Sequence, residues 1–137
     1  TLTNSLAALP VVIAACQKRT LIPVYGDGSN IPYFLYLHGH CPGIDAVVRS
    51  GKSGATYNIG GNNEWANIAI CRIICDLMDK RIAIATPHQQ LIEFVTDRPG
   101  HDWRYAVDSS RISNELNWQP QETFESGIIK TLGWYCR

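Results

Sequence analysis

The chain has 137 residues, 12 basic against 12 acidic side chains and a 45 % apolar fraction. That length suits one domain with a single core, and a formal charge of zero argues against a nucleic-acid groove or an anionic membrane surface as partner. Any phosphate site must then be a local arrangement of a few side chains and backbone amides.

The opening stretch, Thr1 to Ala15, is apolar but has no basic n-region and is broken by Pro10. It is too short to span a bilayer, so it reads as neither a signal peptide nor a membrane anchor. Leu9 to Gln17 reads as a helix, with Pro10 in its first turn and Lys18-Arg19 at its end. Leu21 to Tyr25 is a short strand closed by the turn Gly26-Asp27-Gly28-Ser29-Asn30, and Tyr33 to Leu37 is a second, aromatic strand. A helix follows from Cys41 to Arg49, since Pro42 suits a first turn and Gly51 follows the end.

Thr56 to Ile59 is strand-like and ends in Gly60-Gly61. The clearest element is a helix over Glu64 to Lys80, where Ile70, Ile73, Ile74, Leu77 and Met78 recur at helical spacing, with Asn62 or Asn63 as cap. Ile92–Val95 and Arg104–Val107 are strands flanking a polar loop. Asp108-Ser109-Ser110 caps a helix through Leu116, and Thr123-Phe124-Glu125 opens a last helix to Tyr135. The alternation reads as α/β, one domain over residues 1–137, without a complete doubly wound sheet.

Five cysteines, Cys16, Cys41, Cys71, Cys75 and Cys136, are an odd number, and Cys71 and Cys75 lie one helical turn apart in an apolar pattern. Buried free thiols in a reducing cytoplasm account for them better than disulfides. Gly26-x-Gly28 lacks the third glycine of a dinucleotide fingerprint and joins two strands, so it reads as a hairpin turn. Gly60-Gly61 reads as a tight strand–helix turn, with the following helix N-terminus as a source of amides for an anion. His38 and His40 share a face if they lie on a strand, but no second ligand pair turns them and Cys41 into a metal site. The pairs Asp76/Asp79 and Glu122/Glu125 read as solvated helix faces, and Trp65, Trp103, Trp118 and Trp134 as packing residues. Tyr25, beside the glycine turn, is placed to stack on a base.

The most informative run is Asp97-Arg98-Pro99-Gly100-His101-Asp102, then Trp103-Arg104-Tyr105-Ala106. It sets a guanidinium fork and an imidazole around a Pro-Gly turn. With Leu21-Ile22-Pro23-Val24-Tyr25-Gly26, Gly51–Glu64 and Thr123–Thr131 in the same order, it resembles the C-terminal portion of the dTDP-glucose 4,6-dehydratases, extended short-chain dehydrogenase/reductase enzymes. The resemblance implies a substrate-binding portion lacking most of the Rossmann sheet. By that likeness Pro23, Val24 and Tyr25 lie by the thymidine and Asn67 bonds the nucleotide. Asp97, Arg98, Pro99, Gly100 and His101 wrap the diphosphate and ribose.

The family reaction is NAD-dependent dehydration of dTDP-glucose to the 4-keto-6-deoxy sugar, which needs a nicotinamide and a Tyr-x-x-x-Lys pair. No Tyr-x-x-x-Lys occurs in this chain. The expectation is a dTDP-sugar-binding portion, inactive alone, with no catalytic residue, no metal and no NAD of its own. The alternative is a non-catalytic interaction or ligand-binding module derived from this half-fold. The family's arginine is replaced by Pro32 and its lysine by Ala7, and each lost charge-assisted contact costs about 1.5–3 kcal/mol. Weak binding follows. Phe34, Leu35 and Tyr36 are expected on the surface, favouring self-association or a complementary nucleotide-binding half.

Overall fold

The structure, a computed structural model, describes residues 8–82, 85–97 and 99–137. In chain order its elements are α1 (Ala8–Lys18), β1 (Ile22–Tyr25), α2 (Leu37–Ser50), α3 (Asn67–Arg81), a short 3-10 turn (His88–Leu91), β2 (Ile92–Val95), α4 (Ser110–Leu116) and α5 (Phe124–Tyr135). They divide into two compact units. One takes the chain up to Pro32 with Trp65–Arg104 and Leu132–Arg137; the other takes Tyr33–Glu64 with Tyr105–Thr131. The fold is α/β, of the kind expected for a C-terminal portion of an extended short-chain dehydrogenase/reductase. No helix among the described residues is long and apolar enough to cross a membrane.

In the first unit β1 and β2 run parallel, from Ile22 opposite Ile92 to Tyr25 opposite Val95. Parallel neighbours need a long crossover, and here everything from residue 26 to residue 91 lies between them. Ile22 and Val24 point into a core completed by Val12, Ile13 and Cys16 of α1 and by Ile70, Cys71, Ile74, Cys75 and Met78 of α3. That last spacing is one helical stripe, and each large apolar side chain so buried contributes about 1.5–3 kcal/mol. The thiols Cys16, Cys71 and Cys75 are free and buried, whereas Cys41 and Cys136 are free and exposed. Burial pushes the Cys71 thiol up to about 11, and its neighbour Cys16 raises Cys75. Cys71 and Cys75 are therefore thiols, not thiolates, at neutral pH.

His88 is the polar exception in that core, 1 % exposed. Its Nδ1 donates to Asp79 Oδ1 at 2.5 Å, its backbone N–H donates to the same oxygen at 3.1 Å, and its Nε2 lies 3.1 Å from the Cys16 carbonyl oxygen. Both ring partners are oxygen acceptors. One side chain thereby joins the last turn of α1, the last turn of α3 and the approach to β2.

The second unit packs Ile112, Trp118, Phe124 and Ile128. Gly43 of α2 makes room for the Trp118 indole, which would lie 3.1 Å from a Cβ there. Asp108 Oδ1 accepts from the Ser110 amide at 2.9 Å at the start of α4, and Thr123 Oγ1 accepts from the Ser126 amide at 3.2 Å at the start of α5. The helices read near Leu9, Ser110 and Phe124 and the strand Ile92–Val95 are found where the sequence puts them.

Other elements differ. Tyr33–Leu37 is not a strand: Tyr33 makes an isolated antiparallel bridge with Glu64, and α2 already begins at Leu37. Pro42 is therefore inside α2, where its missing N–H forfeits only the bond to the carbonyl of the exposed His38. Thr56–Ile59 and Arg104–Val107 are irregular apart from a bridge between Arg104 and Ile31. Neither Asn62 nor Asn63 caps α3, which starts at Asn67. The glycine turn is no hairpin, because the partner of β1 is the parallel β2. Phe34, Leu35 and Tyr36 are half-buried, with Phe34 tilted against Phe124 at 5.9 Å.

Two outcomes follow from the His88 junction. Replacing His88 with Leu strands the Asp79 carboxylate and the Cys16 carbonyl, and should lower stability by about 2–3 kcal/mol, read from urea unfolding; an unchanged midpoint would deny His88 this role. Burial works to raise the Asp79 carboxyl, but the His88 amide, ring and charge together with Arg19 outweigh it and hold it below its ordinary value. A depressed carboxyl contributes stability above the unfolded carboxylate range, about pH 4, that is lost as pH falls through the lower folded value. Wild-type stability should thus decline below that pH more steeply than that of Asp79→Asn, and parallel curves would disprove the linkage.

Candidate functional site

Because β1 and β2 are parallel, the segments leaving their carboxyl ends emerge side by side, the usual position for ligands on α/β sheets. The Gly26 amide donates to the Val95 carbonyl at 2.9 Å, continuing the ladder by one bond. After the two loops pairing resumes: the Ile31 amide donates to the Trp103 carbonyl at 2.9 Å, and Ile31 bridges Arg104. The turn 26–30 and the loop 96–103 are thus tied at both ends.

Within that bracket the expected residues take distinct positions. Pro23 is exposed, Val24 is wholly buried and Tyr25 is half-buried at the strand end. Asp97, Pro99 and Gly100 are exposed, and Gly100 has φ +72°, which a glycine tolerates in this turn. The His101 side chain is only 6 % exposed. Its Nδ1 donates to Asp97 Oδ1 at 2.7 Å, and its ring meets that of Tyr25 edge-on with centroids 6.4 Å apart. Asp97 also covers Gly26, where a Cβ would come within 3.3 Å of its Oδ2. Arg98 lies outside the described residues, as does Ala7.

Asn67 is the first residue of α3. The amides of Asn67 and Ile68 donate to the main-chain carbonyls of Asn30 at 2.9 Å and Gly28 at 3.0 Å. Two of the N-terminal donors that a helix leaves open are therefore consumed by the glycine turn. The reading of this helix start as an anion site after Gly60-Gly61 is corrected on two counts: those amides are used, and the helix begins six residues beyond Gly61. Gly60 and Gly61 instead allow close packing, since a Cβ on Gly60 would collide with the Tyr33 hydroxyl and one on Gly61 would lie 2.6 Å from the Phe34 carbonyl. What Asn67 leaves open is its side chain: Oδ1 is buried and without a hydrogen-bond partner.

Sequence reasoning passed over Asn30. Its Oδ1 is likewise buried and unpartnered, and its Nδ2 lies 3.5 Å from His101 Nε2. Nothing in a Gly-x-Gly-Ser-Asn turn announces this; the contact exists only because β2 runs alongside β1.

The remaining candidates separate from this place. His38, His40 and Cys41 lie on α2, where residues two apart diverge, so the strand-based shared face does not arise. No group of three or more His, Cys, Asp or Glu among the described residues is positioned to hold a metal ion. Asp79 binds His88, Asp76 accepts from Gln89, and Glu122 takes Ser126 and Lys130, so these carboxylates serve the fold. A dinucleotide needs an open glycine cradle. At Gly28, with φ +72°, a Cβ would meet Val24 Cγ1 at 2.7 Å and Ile68 Cβ at 2.8 Å, so the chain's own side chains fill that space. Gly28 therefore does not offer the open cradle that the pyrophosphate of a dinucleotide needs.

Comparison with known proteins agrees with the fold. The family model described as GDP-mannose 4,6 dehydratase matches residues 5–131. The dTDP-glucose 4,6-dehydratase of Salmonella typhimurium is 48 % identical over 127 residues, covering 93 % of this chain and 35 % of that protein. A dTDP-glucose 4,6-dehydratase from Bacillus anthracis, solved in complex with NAD, superposes with a TM-score of 0.83 at 38 % identity over 93 % of this chain and 38 % of its own. The Streptomyces venezuelae enzyme with NAD and TYD bound gives 0.84 at 32 % identity, over 93 % and 37 %. The chain thus spans about a third of the length of the relatives it matches. With the match running across nearly all of its residues, the chain belongs to the GDP-mannose 4,6 dehydratase family and is similar to its dTDP-glucose 4,6-dehydratases.

Proposed function

We propose that this chain is the nucleotide-sugar-binding portion of a dTDP-glucose 4,6-dehydratase, one domain in function over residues 1–137, which holds the nucleoside diphosphate and does not carry the redox chemistry. The observation that supports this best is the bracketed pair of loops, which gathers Tyr25, Asn67, Asp97 and His101 at one end of a parallel strand pair. Tyr25 offers a ring face or edge to a base. Asn67 Oδ1, buried and unpartnered, suits a hydroxyl or ring N–H donor of the nucleoside. Asp97 orients His101, and Arg98, Pro99 and Gly100 complete the diphosphate loop. Val24 contributes through its main chain, because its side chain belongs to the core.

NAD is the family's hydride carrier and is bound in the solved relatives. In this reading it is not held by this chain: the glycine turn is filled by Val24 and Ile68. No Tyr-x-x-x-Lys pair is present to work with it. A complementary nucleotide-binding portion is the natural partner, and Phe94 on β2, 55 % exposed, is apolar surface that such a partner would cover. The compartment proposed is the cytoplasm, in keeping with five free thiols. A second reading, a ligand-binding module without catalytic partner, draws on the family arginine position, where the buried Pro32 stands.

Titration with dTDP-glucose should give saturable binding in the high micromolar to millimolar range. Arg98→Ala should weaken it by about ten- to a hundredfold, the worth of one charge-assisted contact; absence of binding by wild-type protein at millimolar ligand would refute the reading. With NAD and dTDP-glucose together, the 4-keto-6-deoxy product should stay at background. Turnover would overturn the assignment of the hydride chemistry to another part of the enzyme.

A further inference from the structure

The apolar run at Phe34, Leu35 and Tyr36 is half-buried, and the exposed apolar stripe lies on the element that follows it, α2. Leu37 is 65 % exposed, Ile44 47 % and Val48 79 %, and the Cys41 thiol between them is free and exposed. At 3.6 residues per turn these four side chains fall within about 60° of the helix circumference. The other side of α2 serves its own unit: Gly39 and Gly43 are buried, Gly43 against Trp118. The steps from 37 to 41, 44 and 48 are four, three and four residues, the spacing of a coiled-coil seam.

This seam is complementary to itself under a two-fold axis. With a second α2 laid antiparallel and the axis between Cys41 and Ile44, Leu37 meets the second copy's Val48 and Cys41 meets the second copy's Ile44. The same register sets His38 beside the second copy's Asp45, and symmetry repeats that pair on the other flank. Both residues are exposed, and an imidazole N–H donates to a carboxylate. Asp45 keeps its own Arg49 at 2.7 Å, so the flank also carries a guanidinium. A parallel pair would call instead on His40, which is half-buried, and would align the two helix dipoles unfavourably. We infer that α2 is an interface between two copies of this chain, paired antiparallel along Leu37, Cys41, Ile44 and Val48. Such a contact is short of the roughly 1,200–2,000 Å² that a stable complex buries, so the dimer is weak, with a Kd on the order of 100 μM. The inference does not rest on the nucleotide-sugar reading.

Sedimentation equilibrium of the whole chain should show a mass rising from monomer towards dimer as concentration approaches about 1 mM, the range for so small an interface. Val48→Glu and Ile44→Lys, both at exposed positions, should stay monomeric there with unchanged circular dichroism. In a Cys136→Ser background Cys41 is the only exposed thiol, and a short bismaleimide should link two copies through it, but not after Val48→Glu. His38→Asp sets two carboxylates together on each flank and should weaken the dimer by about two- to tenfold. Adding Asp45→Lys should restore it, since opposite charges then face each other. A chain that stays monomeric at millimolar concentration would overturn the proposal and leave the stripe to a complementary portion of the enzyme. Association that survives Val48→Glu would overturn it in favour of another surface, such as that at Phe94. A dimer abolished by Val48→Glu, yet indifferent to His38→Asp and to the bismaleimide, would overturn the antiparallel pairing.

Discussion

The parallel pairing of β1 and β2 is the constraint from which the candidate site follows. Four residue pairs, from Ile22–Ile92 to Tyr25–Val95, set two chain segments in the same direction although nearly seventy residues separate them in sequence. Antiparallel strands would have sent the glycine turn and the Asp97 loop to opposite ends. Running parallel, they deliver both to one end, and the second tie at Ile31 and Arg104 keeps the loops from drifting apart. The contacts of His101 with Tyr25 and Asn30 exist because of that direction.

The pairing needs support, since two strands alone do not bury enough surface to persist. α1 and α3 supply it by packing on Ile22 and Val24, and His88 locks the ends of both helices to the start of β2. The glycine turn does structural duty as well. Its carbonyls at Gly28 and Asn30 receive the first amides of α3, and the space above Gly28 is taken by Ile68. A turn that resembles a phosphate cradle in sequence is a helix cap in the fold. The same hydrogen bonds that remove α3 as an anion site hold Asn30 and Asn67 beside one another, with a buried, unpartnered carbonyl oxygen on each.

In the proposed reading that arrangement divides the labour of recognition, with Asn67 suited to a donor on the nucleoside and the His101 loop to acceptors on the diphosphate. The buried thiols and the helix-end carboxylates stand outside this chemistry, being occupied by packing, by His88 or by capping contacts.

Much of this was legible in the amino-acid order. The apolar stripe of α3, the basic end of α1, the caps at Asp108 and Thr123 and the strand Ile92–Val95 are written in local periodicity and local hydrogen bonding, which a sequence displays directly. So was the family, through the Asp97–His101 run. The misread segments are those whose conformation depends on distant partners. Tyr33–Leu37 has strand-forming residues but finds no ladder beyond one bridge. The Gly26–Gly28 turn has hairpin residues but a parallel neighbour, and α3 has asparagines before it but takes its cap from a turn some forty residues upstream. The sequence by itself determined which elements form and which family they belong to, because both are carried by short-range pattern. Only the tertiary structure decided that Asn30 faces His101 and that the helix amides are spent. Those facts arise from long-range strand pairing, whose direction no local pattern encodes.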